Sequence, residues 1–471
     1  MKTYDLAIIG SGMGGSMIAS LNKQKDVIVF EKDTNLGGCA STFKRFGNYY
    51  NSGATTLVGY EENHPLKEIF DKASVNLDLK KSDIAIRVLQ NGKTIDRVKD
   101  FEKFLSQIDK AYPNKNNRVF WQTIKELDEK FWKLKNVYYS KYSLSSYIKT
   151  IKSVSEIFLT FKFDLFKTAS GFIKDTLGDI SNEYQDFIDS QLLITLQTTS
   201  KDISLLSLAL GLAYPFHDVF YVNGGMGSIF DELLKDIETH NKEEVKSITK
   251  QNDVYLLKTR KAEYRAKNVI LNSTVYDSSK LFEDEKIKSY YNKFSFNDQS
   301  AFVIHMTINK KEDLLHHYQI ILENEIPNAI SNSYFVSLSS SEDKKMSENG
   351  INITISTHTK ARFWSNLNKD EYKRQKFITE EFIINSFLEN FDNISKEDIQ
   401  ISFSGTAKTF NRFINRNNCG GKAITLKTLL QVPSCRTPFE GLYNVGDTIF
   451  AGQGWPGVAL GVNILKEELD G

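Results

Sequence analysis

Apolar positions along the chain fall into short unbroken runs and longer helical-period stretches. The runs at 5–9 (DLAII) and 26–30 (DVIVF) are too short for helices and rich in β-formers, so they predict buried parallel strands. The segment 16–23 between them has helical character. Further strands are predicted at 266–275 (AKNVILNSTV), 300–308 (SAFVIHMTI), 318–322 (YQIIL) and 352–356. The stretch 203–216 (ISLLSLALGLAYPF) reads as a buried helix and 458–469 as a C-terminal one. Strands alternating with helices predict an α/β fold.

The turn between the first two strands changes the picture. It reads Gly10, Ser11, Gly12, Met13, Gly14, Gly15, a GxGxxG placed between strand and helix. Gly10 permits a tight exit from the strand, Gly12 lets a pyrophosphate reach the backbone, and Gly15 lets the helix pack close. The helix N-terminus offers free N–H groups to phosphate. Glu31 lies 21 residues beyond Gly10, where a carboxylate accepts hydrogen bonds from a ribose diol. A carboxylate there disfavours a 2′-phosphate, so FAD or NAD fits better than NADP. Lys32 follows, then Gly37, Gly38, Cys39, Ala40, Ser41 and Thr42. A second glycine pair so close suits a loop folding over a larger cofactor, which points to FAD. At the other end, Gly446-Asp447 closes a short strand, and Trp455, Pro456, Gly457 and Val458 lead into the last helix. That open helix N-terminus can stabilise negative charge, and Asp447 can accept from a ribityl hydroxyl.

Together these motifs resemble the phytoene desaturase / carotenoid isomerase / retinol saturase group of FAD oxidoreductases, within the flavin amine oxidase-like superfamily. The resemblance rests on IIGSGMGG…VFEK…LGGCASTF, YVNGGMG (221–227) and GLYNVGDTIFAGQGWPGVALGV. Cys39, Asn51 and Val222 depart from the family's usual Arg, Asp and Pro, which leans toward the isomerase/saturase-like branch. The resemblance implies a discontinuous Rossmann-like FAD-binding domain with an inserted substrate domain of mixed sheet plus helices. The FAD domain would use 1–70, 222–290 and 422–471, with a helical substrate or membrane-contact region at 71–221 and a sheet and cap at 291–421. Cys419, Gly420 and Gly421 would mark the re-entry. Val245 would offer a backbone contact on the adenine side, and Trp455 would face flavin or substrate. The implied reaction is desaturation, isomerisation or saturation of a hydrophobic isoprenoid or polyene. An amine oxidase-like enzyme for a polar amine and a non-catalytic flavoprotein are the other readings. With one GxGxxG, the electron acceptor is expected to be a quinone or oxygen rather than a nicotinamide. No acid–base residue stands out; His305, His316 and His317 fall in the substrate-domain outline.

Composition bounds the rest. The chain has 471 residues, with 60 basic and 59 acidic side chains, which argues against a polycation for nucleic acid. Three cysteines, Cys39, Cys419 and Cys435, fit a reducing compartment. The absence of CxxC and HExxH spacing argues against a zinc site. No targeting run or membrane-length apolar run is seen, so the expected location is cytoplasmic, either free or peripheral at the inner face of a membrane. The exception is 130–174, with nine lysines against Glu156 and Asp164, a net charge of +7, and eleven aromatics. Phe158, Phe161, Leu165 and Phe172 are expected on one helical face there, widened by Leu159, Phe163, Phe166 and Ile173, as a peripheral membrane contact. Oligomeric state is not legible.

Overall fold

The computed structural model describes residues 2–296, 298–309, 314–418, 420–421 and 431–471. Cys419 and the expected domain boundary at 422 lie outside these residues. At the centre of the first, seven-stranded sheet is β1 (Thr3–Ile9), followed by α1 (Met13–Ser20) and β2 (Val27–Phe30). β1 runs parallel to β2 on one side and to the strand Glu263–Leu271 on the other. Glu238–His240 extends the sheet beyond β2, and Leu442–Asn444 joins Glu263–Leu271 in parallel. An antiparallel pair, Ser247–Gln251 and Val254–Lys258, completes it. Its strands come from the N-terminus, the middle and the C-terminus of the chain, as a discontinuous domain requires.

The second sheet also has seven strands, in the order Ile399–Gly405, Ser300–Ile308, Ile351–Thr359, Ser333–Leu338, His317–Ile321, Ile86–Gln90 and Lys93–Arg97. Its last two strands lie in the region expected to be helical. They form a hairpin around Asn91-Gly92, both at positive φ, a turn signal the helical reading passed over. The helix Lys369–Asn390 covers this sheet with Ile383, Ile384 and Phe387. A helical layer between residues 101 and 216 encloses a third core around Phe104, Trp121, Phe187 and Leu208. The apolar run at 203–216 supplies its buried helix, Leu205–Ala213.

A charged cluster ties that layer to the first domain. The His217 ring lies between Glu61 (Nδ1 to Oε2, 3.0 Å) and Asp128 (Nε2 to Oδ2, 2.6 Å). Lys99 and the Asp218 amide donate to the other Glu61 oxygen. The His64 ring lies edge-on to that of His217 at 5.1 Å and tilted against Trp132 at 4.5 Å. Burial alone would lower the His217 pKa, but the two carboxylates outweigh it and raise it to about 9. Burial, and then the charge of His217, lowers His64 to about 4. His217 is therefore a cation at neutral pH, joining three separate segments of chain.

A pKa raised on folding contributes stability that is complete below the unfolded value near 6.5 and fades as pH rises through about 9. The thermal midpoint should fall between pH 7 and pH 9 for this reason. His217→Gln should flatten that dependence and cost about 2 kcal/mol at pH 7, read by denaturant unfolding across the range.

Candidate functional site

The parallel register fixes where the site lies. Ile9 pairs with Phe30 and Leu271, and Leu271 pairs with Asn444, so four strands end at one level. The residues that follow are Gly10, Glu31, Asn272 and Val445-Gly446. Ligands of open parallel sheets bind beyond the carboxyl ends of the strands. A cavity of about 420 Å³ opens there.

Of the sequence-predicted residues, Gly10, Gly12, Met13, Gly14, Glu31, Lys32, Gly38, Cys39, Val245, Gly446, Asp447 and Val458 line this cavity. Both ends of the chain therefore contribute to one cleft. Gly14 is the point of closest approach, since a Cβ there would lie 2.8 Å from Val445 Cγ2 and 2.9 Å from the Gly446 nitrogen. A Cβ on Gly15 would lie 2.2 Å from the Gly10 carbonyl oxygen, so helix and strand meet with no room for a methyl group. The second glycine pair lies over the first: Gly12 and Gly37 form a parallel bridge, and the Phe230 ring fills the space where a Gly37 side chain would stand. The α1 N-terminus has Gly12 as its cap, with no side chain bonded to the free N–H groups. This bare cradle fits a dinucleotide phosphate.

Glu31 is buried and pre-set. Its Oε2 accepts from the Ser11 amide (2.9 Å) and hydroxyl (2.7 Å), and its Oε1 from the Asp33 amide (2.9 Å). Ser11 thus positions the carboxylate from behind. Ser41 and Thr42 are also turned into the protein. The Ser41 hydroxyl meets that of Ser52 at 3.0 Å. Thr42 Oγ1 donates to Asn51 Oδ1 (2.7 Å) and accepts from the Gly227 amide (2.8 Å), while Asn51 Oδ1 also accepts from the Met226 amide (3.0 Å). Asn51 thereby holds the Gly-Gly turn ahead of the helix Gly227–Leu234.

The C-terminal helix begins earlier than the sequence suggested. It spans Gly454–Asp470 with Gln453 as cap, so Pro456 and Gly457 lie inside its first turn. Gly457 packs 3.1 Å from the Gly452 carbonyl by its would-be Cβ, and Gly454 and Val458 reach the cavity instead. Trp455 is placed in the core, 2% exposed, stacked on Phe230 (5.9 Å, 26°) with Phe70 edge-on. It does not line the cleft. An indole on that side of the helix finds an apolar wall already built by two phenyl rings, which favours burial.

One cleft residue carried no sequence signal. Arg416 lies just beyond the helix Ala407–Ile414 and grips Asp447 with both arms, Nη1 to Oδ1 at 3.1 Å and Nη2 to Oδ2 at 2.8 Å. It also donates to the carbonyls of Asn418 and Gly420, and its charge is felt at Cys39. A guanidinium thus stands beside position 39, brought by a distant segment, where the resemblance led one to expect an arginine in the loop itself. Burial pushes the Cys39 thiol up despite Arg416, so it stays protonated. Lys32 is engaged with the Arg412 carbonyl (3.0 Å) and Asn415 Oδ1 at the cleft rim.

The histidines lie away from this cavity. His305 is enclosed by Phe43, Tyr50 and Phe403, and burial lowers it to about 3. His316 stacks on Tyr221. His317, also lowered to about 3 by burial, faces Thr56 Oγ1 at 3.3 Å where the two domains meet, and its Nδ1 has no partner. His305 and His317 are neutral at pH 7.

Gly15→Val should force α1 off the Gly10 carbonyl and abolish dinucleotide retention, measured by the cofactor content of the purified protein. Arg416→Met should weaken dinucleotide affinity at least about tenfold in a fluorescence titration, with Arg416→Lys recovering part of the loss.

Residues 8–73 match the NAD(P)-binding Rossmann-like domain model. The chain is 25% identical to a chloroplastic prolycopene isomerase of Daucus carota, over 97% of this chain and 78% of that protein. It is also 25% identical to a 1-hydroxycarotenoid 3,4-desaturase of a Flavobacterium, over 59% of this chain and 58% of the other. A putrescine oxidase structure covers 99% of this chain, and 98% of its own, with a TM-score of 0.65 at 13% identity, a likeness of fold. Along nearly its whole length the chain is thus similar to a prolycopene isomerase, and it carries a Rossmann-like dinucleotide cradle within a fold like that of putrescine oxidase.

Proposed function

We propose that the protein is an FAD-dependent enzyme that acts on the conjugated double bonds of an apolar isoprenoid or polyene, with isomerisation as the leading reaction. The observation that supports this most is the cleft in which Gly10, Gly12, Gly14 and Glu31 meet Gly446 and Asp447. FAD, when bound, supplies the redox chemistry. The chain's residues supply the placement. Glu31, oriented by Ser11, accepts from the ribose diol, and the bare α1 N-terminus receives the pyrophosphate. Arg416 adds positive charge, and Asp447 offers oxygens to hydroxyls further along. The first turn of the C-terminal helix, with Gly454 and Val458 at the cavity, sets a positive dipole end beside the same space.

Isomerisation leaves the oxidation level of the polyene unchanged, so it would need no nicotinamide site besides the site that holds FAD, in keeping with the single fingerprint. It also calls for no net proton transfer, in keeping with a cleft lining to which His305, His316 and His317 do not contribute. Net desaturation by the same cleft would pass electrons to a quinone or oxygen.

The protein as purified should be yellow and release FAD on denaturation. With the flavin chemically reduced under anaerobic conditions, it should convert a poly-cis carotenoid to a more extended isomer of unchanged mass, followed by chromatography and mass spectrometry. Glu31→Gln should lower FAD affinity about tenfold, since the ribose loses a charged acceptor. A colourless preparation indifferent to added flavin, or peroxide release from an amine panel with no action on polyenes, would overturn the reading.

A further inference from the structure

The helix Leu144–Phe161 is packed inside out. Its buried residues are Ser146, Ser153 and Phe161. Leu144, Tyr147, Ile148, Ile151, Val154, Phe158 and Leu159 are all exposed, from 48% to 78%. Spacings of three and four place those seven on one stripe, with Ser146 and Ser153 opposite. The following turn, Lys162–Phe166, prolongs the stripe with Phe163 (81% exposed) and Phe166 (58%). The helix expected on the sequence pattern differs: Phe161 and Ile173 are buried, and the chain breaks at Lys162 before a new helix at Ala169–Leu177.

The orientation is held by polar bonds. Ser146 Oγ donates to Glu468 Oε1 (2.5 Å), which also receives the Tyr138 hydroxyl, while Arg436 donates to Glu468 Oε2 (2.8 Å). Ser153 Oγ accepts from the Tyr138 amide (2.9 Å), and Thr150 Oγ1 bonds the Ser140 carbonyl (3.1 Å). Rolling the apolar stripe inward would take the Ser146 hydroxyl from the Glu468 carboxylate, whose side chain is only 5% exposed, and the Ser153 acceptor from the Tyr138 amide. A helix fixed with its greasy side out needs something apolar to cover it.

Charge selects the cover. The region 130–174 carries +7 while the whole chain carries +1, so the remainder is −6. Its two acids are engaged: Glu156 accepts from the Lys135 amide and Asn136, and Asp164 pairs with Lys167 at 2.8 Å. Lys152, Lys162, Lys167 and Lys174 are exposed around the stripe. Two such faces would repel each other, which disfavours a second copy as the occupant. Among the described residues no helix is long and apolar enough to cross a membrane. We infer that this face docks on the surface of an anionic lipid bilayer, with Leu144, Ile148, Ile151, Leu159 and Phe163 entering the acyl boundary and the lysines meeting the head groups. The inference rests on this face alone and holds for any reaction in the cleft.

Co-sedimentation of the full chain with vesicles tests it. Wild type should bind equimolar phosphatidylglycerol/phosphatidylcholine vesicles at least about tenfold more tightly than phosphatidylcholine alone, and less as salt rises. The triple variant Ile148→Ser, Ile151→Ser, Leu159→Ser should lose at least about tenfold on the anionic vesicles, with thermal midpoint and cofactor content unchanged because the three sites are exposed. Lys152→Glu with Lys162→Glu should lose about fivefold per site on anionic vesicles only. Equal binding by wild type and triple variant, no binding by either, or a concentration-dependent dimer that the triple variant dissolves would overturn it. Because no polyene is used, the result is independent of the assay for the proposed reaction.

Discussion

The shared level at which β1, β2, Glu263–Leu271 and Leu442–Asn444 end is the constraint on which the site depends. Parallel pairing puts the four following loops on one edge. There, the missing side chain of Gly14 lets α1 come up against Val445 and Gly446. The cleft is a consequence of that contact: residues more than 400 positions apart in sequence face one space because no Cβ keeps them apart. The Asn272 side-chain amide, donating to the Gly10 carbonyl at 3.2 Å, reinforces the junction from the end of the strand Glu263–Leu271.

Around this junction the chain divides its polar work. Ser11, Thr42 and Asn51 carry no surface of the cleft; Ser11 fixes the Glu31 carboxylate that does, and Thr42 and Asn51 fix the Gly-Gly turn ahead of the helix Gly227–Leu234. Buried charges outside the cleft are treated the same way. His217 is clamped by two carboxylates, and Glu468 is satisfied by Tyr138, Ser146 and Arg436. In each case, a buried ionised group is held by several partners, because one left alone would cost several kcal/mol. The Glu468 cluster has a further effect, since it decides which side of an amphipathic helix meets the solvent.

The C-terminal helix joins these arrangements. Its first turn reaches the cavity through Gly454 and Val458, and its last turns carry Glu468 under the helix Leu144–Phe161. The cofactor cleft and the apolar outer face are thus anchored to one rigid element.

Local chemistry made much of this legible in the sequence. The strand–glycine–helix–strand unit, Glu31 at its fixed distance and the Gly446-Asp447 turn are all set by backbone geometry over a few residues, so pattern alone located them. The strand at 300–308 and the 352–356 core of Ile351–Thr359 were legible for the same reason. The hairpin at 86–97 was missed because a helical expectation for the region outweighed its Asn-Gly turn. Placement that depends on distant partners was not legible. Arg416 enters the cleft from a segment with no motif, Trp455 is drawn into the core by Phe230 and Phe70, and the stripe on Leu144–Phe161 faces outward because Ser146 bonds Glu468 and Ser153 bonds the Tyr138 amide on the opposite side. A sequence shows that a helix has two faces; which of them is buried is settled by the charges and hydrogen bonds waiting on the surface it meets.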